Sequence, residues 1–296
     1  MNLRNLFPIL GGSAVFAVKR KLLPIARETK IRYVVVDLDG TLFSGSSHLD
    51  ALAMRYGGMG KARAIHQGLF RKYDAGKITL DGALLKLFQA LLAKKMGRSD
   101  WHALMERYER EGKVNRPLIE ALKYAQRHGK KVILATRMAR ESAEWFNQRY
   151  GFDGAIGTTT DSEAYRGRGD VPELVGIRRG WIGKTHVKTK LDKVRELLRG
   201  RGVPFRAKSV AVISNDYLDH VEMQKAGLGI LLTPTGERTE LERIAQKYAL
   251  FDVAARNDER LAQRVKLILR KPRFAAYPNR LEQASERLTR VKSRRY

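Results

Sequence analysis

The stretch from Tyr33 to Phe43, Tyr-Val-Val-Val-Asp-Leu-Asp-Gly-Thr-Leu-Phe, constrains this chain more than any other. Tyr33 to Val36 are β-branched or aromatic without a polar break, which predicts a strand buried on both faces. Asp37 and Asp39 follow at the strand's carboxyl end, the edge where ligands sit in open α/β sheets. In an extended chain, carboxylates separated by one residue point the same way. Two like charges held close are costly without a cation or a shared proton. The pair therefore predicts a divalent metal, acid/base chemistry, or both. Gly40 lets the chain leave the strand sharply, and Thr41 adds a hydroxyl beside the carboxylates.

The full string, a hydrophobic strand followed by Asp-Leu-Asp-Gly-Thr-Leu-Phe, resembles motif I of the haloacid dehalogenase-like (HAD) hydrolase superfamily, most of whose members are phosphatases. An isolated Asp-x-Asp-Gly would be read as a polar turn. The resemblance gains weight only if partner motifs follow in order.

At 296 residues the chain can bury a substantial core, as one large domain or two smaller ones. With 43% hydrophobic and 30% charged residues it is globular in composition. It has no cysteine, which excludes disulfides, thiolate metal sites and cysteine nucleophiles and fits a reducing, cytoplasmic setting. The net charge of +27 predicts attraction to nucleic acid, an anionic membrane surface or phosphorylated substrates, unless it is a general basic bias with no partner.

Residues 1–30 hold an apolar run, Leu6 to Val18, followed by Lys19-Arg20-Lys21. It is shorter than the roughly 20 residues a spanning helix needs, and Pro8 and Gly11-Gly12 weaken it as a helix. It reads either as a helix packed on the core or as a peripheral membrane anchor. Residues 44–112 are helical in pattern, with apolar spacing over Ala62–Tyr73, Leu80–Lys95 and Asp100–Glu111, and Ser99-Asp100 as the cap of the last. The cluster Gly57-Gly58-Met59-Gly60 follows no strand and lacks a Gly-Lys-Ser/Thr ending, so it is expected to be a turn. Pro117–His128 predicts a helix, Lys131–Thr136 a second buried strand, Glu141–Tyr150 a helix and Gly154–Gly157 a short strand. Asp161–Lys184, rich in Gly and Arg, reads as an exposed excursion, a hairpin beside the helical block. Val210–Ile213 is a further strand, ending in Ser214-Asn215-Asp216-Tyr217-Leu218-Asp219, and Gly229–Thr233 another. Residues 253–296 form a basic, helical-patterned tail, either an anion- or partner-binding segment or a solvated extension. The six histidines show no metal-ligand spacing.

The resemblance covers roughly Ile31 to Phe251. It implies an α/β fold, a Rossmann-like doubly wound parallel sheet (31–43 and 113–252) with an inserted all-helical cap of the C1 type (44–112), closest to the phosphoserine-phosphatase-like branch. Thr136 stands where motif II places a hydroxyl that binds the phosphoryl group. Motif III supplies a lysine from a helix start; among Lys184, Lys188, Lys190 and Lys193, Lys190 fits best, one turn before Val194. In motif IV, the register set by Lys225-Ala-Gly-Leu-Gly229 puts Asn215 where a metal-binding Asp normally stands, with Asp219 as the second acid and Asp216 as a substitute ligand. The resemblance then implies Mg²⁺-dependent phosphomonoester hydrolysis of a small phosphorylated metabolite. Asp37 would be the nucleophile, Asp39 the general acid/base, and Thr136 and Lys190 the phosphate ligands. The metal ligands would be Asp37, the Asp39 carbonyl, and Asn215 or Asp216, with Asp219 orienting the lysine or the metal-bound water. The alternatives are a phosphatase of lipid head groups or nucleic-acid ends at an anionic surface, and an impaired HAD-fold binding protein. Asn215 brings no charge to a cation, which favours the last.

Overall fold

The computed structural model describes residues 31–160, 172–177, 179–216, 219–233 and 251–254. The N-terminal apolar segment, the Arg166–Asp170 run and the basic tail beyond Ala254 lie outside them.

Six strands form one sheet in the order β3-β2-β1-β7-β8-β9. They are β1 (Tyr33–Val36), β2 (Lys131–Ala139), β3 (Gly154–Thr158), β7 (Val210–Ser214), β8 (Leu228–Thr233) and β9 (Phe251–Ala254). The pairings β1–β7, β2–β3, β7–β8 and β8–β9 are all parallel. This is the Rossmann-like α/β sheet that the family resemblance implied, and its strands β1, β2 and β7 are the apolar runs. β1 and β7 are buried along their whole length, which is why both read as uninterrupted hydrophobic runs.

The chain divides into two compact units, and β2 runs from one into the other. Of the described residues, the first takes in those up to Asp37, Asn115–Val132 and those from Pro204 onward. It holds β1, β7, β8 and β9 with helix α5 (Arg116–Arg127). Asn115 caps α5 by accepting a hydrogen bond from the Leu118 N–H at 3.2 Å, and Pro117 sits in the first turn. Leu118, Ile119, Ala121, Leu122 and Ala125 make its buried face, each large side chain contributing about 1.5–3 kcal/mol through the hydrophobic effect.

The second unit comprises Leu38–Val114 and Ile133–Val203. Its first part is all helical: α1 (Ser47–Tyr56), α2 (Met59–Asp74), α3 (Leu80–Ala93) and α4 (Arg98–Arg110). The expected glycine turn is there, with Gly57 closing α1 in a left-handed conformation. The cap of α4 differs from expectation. It is Gly97, and Asp100 reaches back from the third helical position to accept the Gly97 N–H at 2.9 Å. Asp100 completes the start of this helix from inside it.

Phe43 packs between Tyr108 of α4, with ring centroids 4.8 Å apart, and Phe146 of α6 (Arg140–Tyr150), at 5.7 Å. The excursion after β3 is more ordered than its composition suggests. Strands β4 (Glu173–Val175), β5 (Gly180–Ile182) and β6 (Thr185–Lys188) form a second sheet in the order β4-β6-β5. β5 and β6 form a hairpin that turns at Gly183-Lys184, so its second strand lies beyond the expected Asp161–Lys184 excursion; β4 joins it in parallel. Asp81, buried in α3, accepts the Ile177 N–H at 2.9 Å and so ties this sheet to the helical block. A Cβ on Gly176 would lie 2.6 Å from Asp81 Oδ1, so this approach depends on glycine. Helix α7 (Lys190–Arg199) follows, capped by Thr189.

Candidate active site

In the first unit, Asp37 and the segment from Asn215 to Asp219 follow the carboxyl ends of neighbouring parallel strands. Asp37 directly follows β1, is buried, and donates its N–H to the Ile213 carbonyl of β7 at 2.9 Å. The register pairs Val36 with Ile213, so Asp37 and Asn215 leave adjacent parallel strands at the same edge. Beyond β7 the Ser214 hydroxyl accepts the Asp216 N–H at 3.1 Å, and the Asp216 carbonyl accepts the Asp219 N–H at 3.1 Å. Asp219 is fully buried and immediately precedes the short helix α8 (His220–Lys225).

In the second unit, the Leu38 carbonyl accepts hydrogen bonds from the N–H groups of Thr41 and Leu42 at 3.0 and 2.8 Å. Gly40 takes φ 73°, a left-handed conformation that this tight reversal needs. The turn brings Asp39 to the start of α1. The Ser47 N–H donates to Asp39 Oδ1 at 2.5 Å and its hydroxyl to Oδ2 at 3.0 Å. The nominal cap, Ser46, makes no capping bond to the helix backbone, its hydroxyl being bonded to the His48 ring, so Asp39 satisfies this helix end in its place and meets the positive end of its dipole. Ser47 was not among the residues singled out from sequence. The signal present was a serine pair opening an apolar-periodic helix.

Thr136 lies at an irregularity in β2. Ala135 pairs with Ile156 of β3, but the next pairing joins Ala139 to Thr158, so β2 carries two extra residues there. The Thr136 hydroxyl, buried, accepts the Met138 N–H at 3.0 Å. The Thr158 hydroxyl closes the loop by donating to the Arg137 carbonyl at 2.6 Å. Gly157 makes room, since a Cβ there would lie 2.4 Å from Arg140 Cα. Arg137, buried next to Thr136, is a charged residue the sequence reading passed over.

The four candidate lysines separate by environment. Lys184 is exposed. Lys188 and Lys193 both bind Glu173, and Lys188 also reaches Glu196 at 2.8 Å. Burial alone would raise the Glu173 pKa; hydrogen bonds from Lys188 and Lys193 more than offset that and hold its carboxyl below the usual range. Lys190 is 1% exposed and stands at the first position of α7. It is the member of the set whose burial requires a specific electrostatic environment.

Among the described residues, no three Asp, Glu or His side chains gather closely enough to hold a metal. The donors at the β1 and β7 ends are the Asp37 and Asp216 carboxylates, the Asn215 amide oxygen and backbone carbonyls. These are hard oxygen ligands, the type Mg²⁺ takes. The donor chemistry fits that ion, with one charge fewer than an aspartate at position 215 would give.

An open parallel sheet with acids on the carboxyl ends of neighbouring strands defines a Rossmann-like α/β protein with its chemistry at the strand ends. The family model described as haloacid dehalogenase-like hydrolase matches residues 34–221, and the chain belongs to that family. Among solved structures, it resembles a protein of unknown function from Bordetella pertussis Tohama I at 20% identity and a TM-score of 0.55, over 75% of this chain and 98% of that one. A HAD family hydrolase from Salmonella enterica serovar Typhi is similar at 13% identity and TM-score 0.51, over 85% and 80% of the two chains. A phosphoserine phosphohydrolase-like protein from Francisella tularensis SCHU S4 matches at 15% identity and TM-score 0.50, over 80% and 100%. At these identities the likeness is one of fold. No curated protein matches the chain.

Proposed function

We propose that this HAD-family hydrolase is a phosphomonoesterase acting on a small phosphorylated metabolite through an aspartyl-phosphate. The observation that carries the reading is the strand-end acid pair: Asp37 fixed to β7 through its backbone, and Asp39 held through both carboxylate oxygens by Ser47. An Asp37 carboxylate oxygen attacks phosphorus, and the ester P–O bond breaks. Asp39, protonated, gives its proton to the departing alkoxide. As a carboxylate it then takes a proton from water, whose oxygen attacks phosphorus and breaks the P–O bond to Asp37, releasing inorganic phosphate. Thr136 and Lys190 bind the phosphoryl oxygens and hold charge as it builds. Mg²⁺, held by Asp37, the Asp39 carbonyl and Asn215 or Asp216, would supply charge neutralisation when bound, and Asp219 would orient Lys190 or the metal-bound water.

A second reading, a binding protein on an impaired HAD core, is favoured by one observation. Position 215 is an amide where the family pattern has an acid. Hydrolysis of para-nitrophenyl phosphate, with and without Mg²⁺, by the wild type and Asp37→Asn decides between them. Metal-dependent turnover lost in Asp37→Asn is expected. No turnover by the wild type, with several divalent metals and across a phosphometabolite panel, would favour the binding protein. Turnover retained in Asp37→Asn would overturn the mechanism.

A further inference from the structure

Trp181 stands apart from the chain's other two tryptophans. Trp101 is 1% exposed and Trp145 is 8% exposed, whereas Trp181 is 62% exposed. It lies on β5, the edge strand of the small sheet, directly across from His186 of β6. The two rings are stacked, 4.6 Å between centroids and 13° from parallel. His186 covers one face of the indole, and the exposure lies on the other. The surrounding sequence is cationic: from Leu174 to Leu191 there are Arg178, Arg179, Lys184, Lys188 and Lys190, and no acid. Lys184, in the hairpin turn, is exposed. Arg179 is bound by Asp192, so its charge is largely neutralised.

Lys188 is paired with Glu173 and Glu196 and Lys190 is buried, which leaves Lys184 as the exposed cation of the hairpin among the described residues. A flat aromatic surface with this lysine beside it, on a strongly basic chain, matches the two elements that bind single-stranded nucleic acid: base stacking and phosphate attraction. A membrane surface fits less well, because insertion needs a contiguous apolar face. Among the described residues the other exposed large hydrophobics are Met54 and Met59, which belong to helices α1 and α2 and not to this hairpin. We propose that the β5–β6 hairpin binds single-stranded nucleic acid, with a base stacked on the open face of Trp181 and Lys184 meeting the phosphate backbone. The surface does not depend on the hydrolase reading, since binding here needs no turnover.

Because two tryptophans are buried, a quencher stacking on the hairpin acts on Trp181. The experiment titrates full-length protein in EDTA with oligodeoxythymidylate, in parallel with inorganic polyphosphate and with phosphatidylserine-containing vesicles, following tryptophan emission. The oligonucleotide is expected to quench emission, and polyphosphate to bind without comparable quenching. By anisotropy of a labelled oligonucleotide, Trp181→Ala should bind about tenfold more weakly with an unchanged salt dependence. Trp181→Phe should recover much of the loss. If Trp181→Ala proves unstable by circular dichroism, Lys184→Glu, at an exposed site, should also weaken binding and lower the salt dependence. Equal quenching by polyphosphate, wild-type affinity in Trp181→Ala, or a blue-shifted response to vesicles with none to the oligonucleotide would each overturn the proposal.

Discussion

Asp39 and Ser47 form a two-point contact. The serine's backbone N–H meets one carboxylate oxygen at 2.5 Å and its hydroxyl meets the other at 3.0 Å. The turn and loop of residues 40–46 are closed by this pair, so the carboxylate assigned to proton transfer is oriented by the helix it caps.

Ser47→Ala keeps the backbone bond and removes the hydroxyl. A hydrogen bond to a charged group contributes about 1.5–3 kcal/mol. If Asp39 is the acid/base, kcat should fall at least about tenfold with KM little changed, and thermal melting should show a loss of about 1 kcal/mol from the helix start. Wild-type kcat would detach Ser47 from the chemistry.

Asn215→Asp restores a negative charge at the end of β7, next to the strand that ends in Asp37. The Mg²⁺ concentration giving half-maximal activity should drop by about tenfold, since Mg²⁺ affinity grows with ligand charge. Metal-titrated turnover measures this; an unchanged midpoint would mean that position 215 does not face the ion.

Gly157→Ala places a methyl group 2.4 Å from Arg140 Cα, 2.6 Å from Arg140 N and 2.9 Å from the Met138 carbonyl oxygen. All three are backbone, so the irregular end of β2 has to move. Chemical denaturation should show a loss of about 2 kcal/mol or more. Because Thr136 sits in the displaced loop, phosphate binding should weaken in the same variant.

His48 gives the fold a pH dependence. Its ring stacks on His66, 4.9 Å between centroids, and burial, aided by the charge of His66, pushes its pKa down to about 3. The unfolded chain takes up this proton near pH 6.5, but the folded chain does not until about pH 3. Stability is therefore undiminished above pH 6.5 and falls as pH drops from there towards 3, by up to about 1.4 kcal/mol per pH unit from this group. Urea unfolding at pH 7.0, 6.0 and 5.0 should show the decline, and His48→Gln should flatten it.

What could be read directly from the sequence was what depends on uninterrupted burial or local spacing. β1, β2 and β7 announce themselves as apolar runs, and α3 through Leu84, Leu87, Phe88 and Leu91 on its buried side. Asp37 and Asp216 are legible as strand-end acids for the same reason, because each closely follows such a run, whereas Asp219 lies further along the chain. The three-stranded sheet was only half legible. Its strands are three or four residues long, too short for alternation to show, and β4 pairs with β6 across an intervening strand. The bonds from Ser47 to Asp39 and from Ile177 to Asp81 were hidden because they depend on where a turn delivers the chain. The Gly97 cap was missed because glycine carries no side chain to mark the position, and Asp100 acts backwards from within the helix.

The bond from the Met138 N–H to the Thr136 hydroxyl fixes the polarity of that oxygen. One of its two lone pairs is taken by its own backbone, so its hydrogen points away from the Met138 N–H and is left, with the second lone pair, for other partners. In the proposed phosphatase that hydrogen is what a phosphoryl oxygen, which only accepts, would take. Vanadate and sulfate should therefore compete for the same position as phosphate, ranked by the electron density on their oxygens.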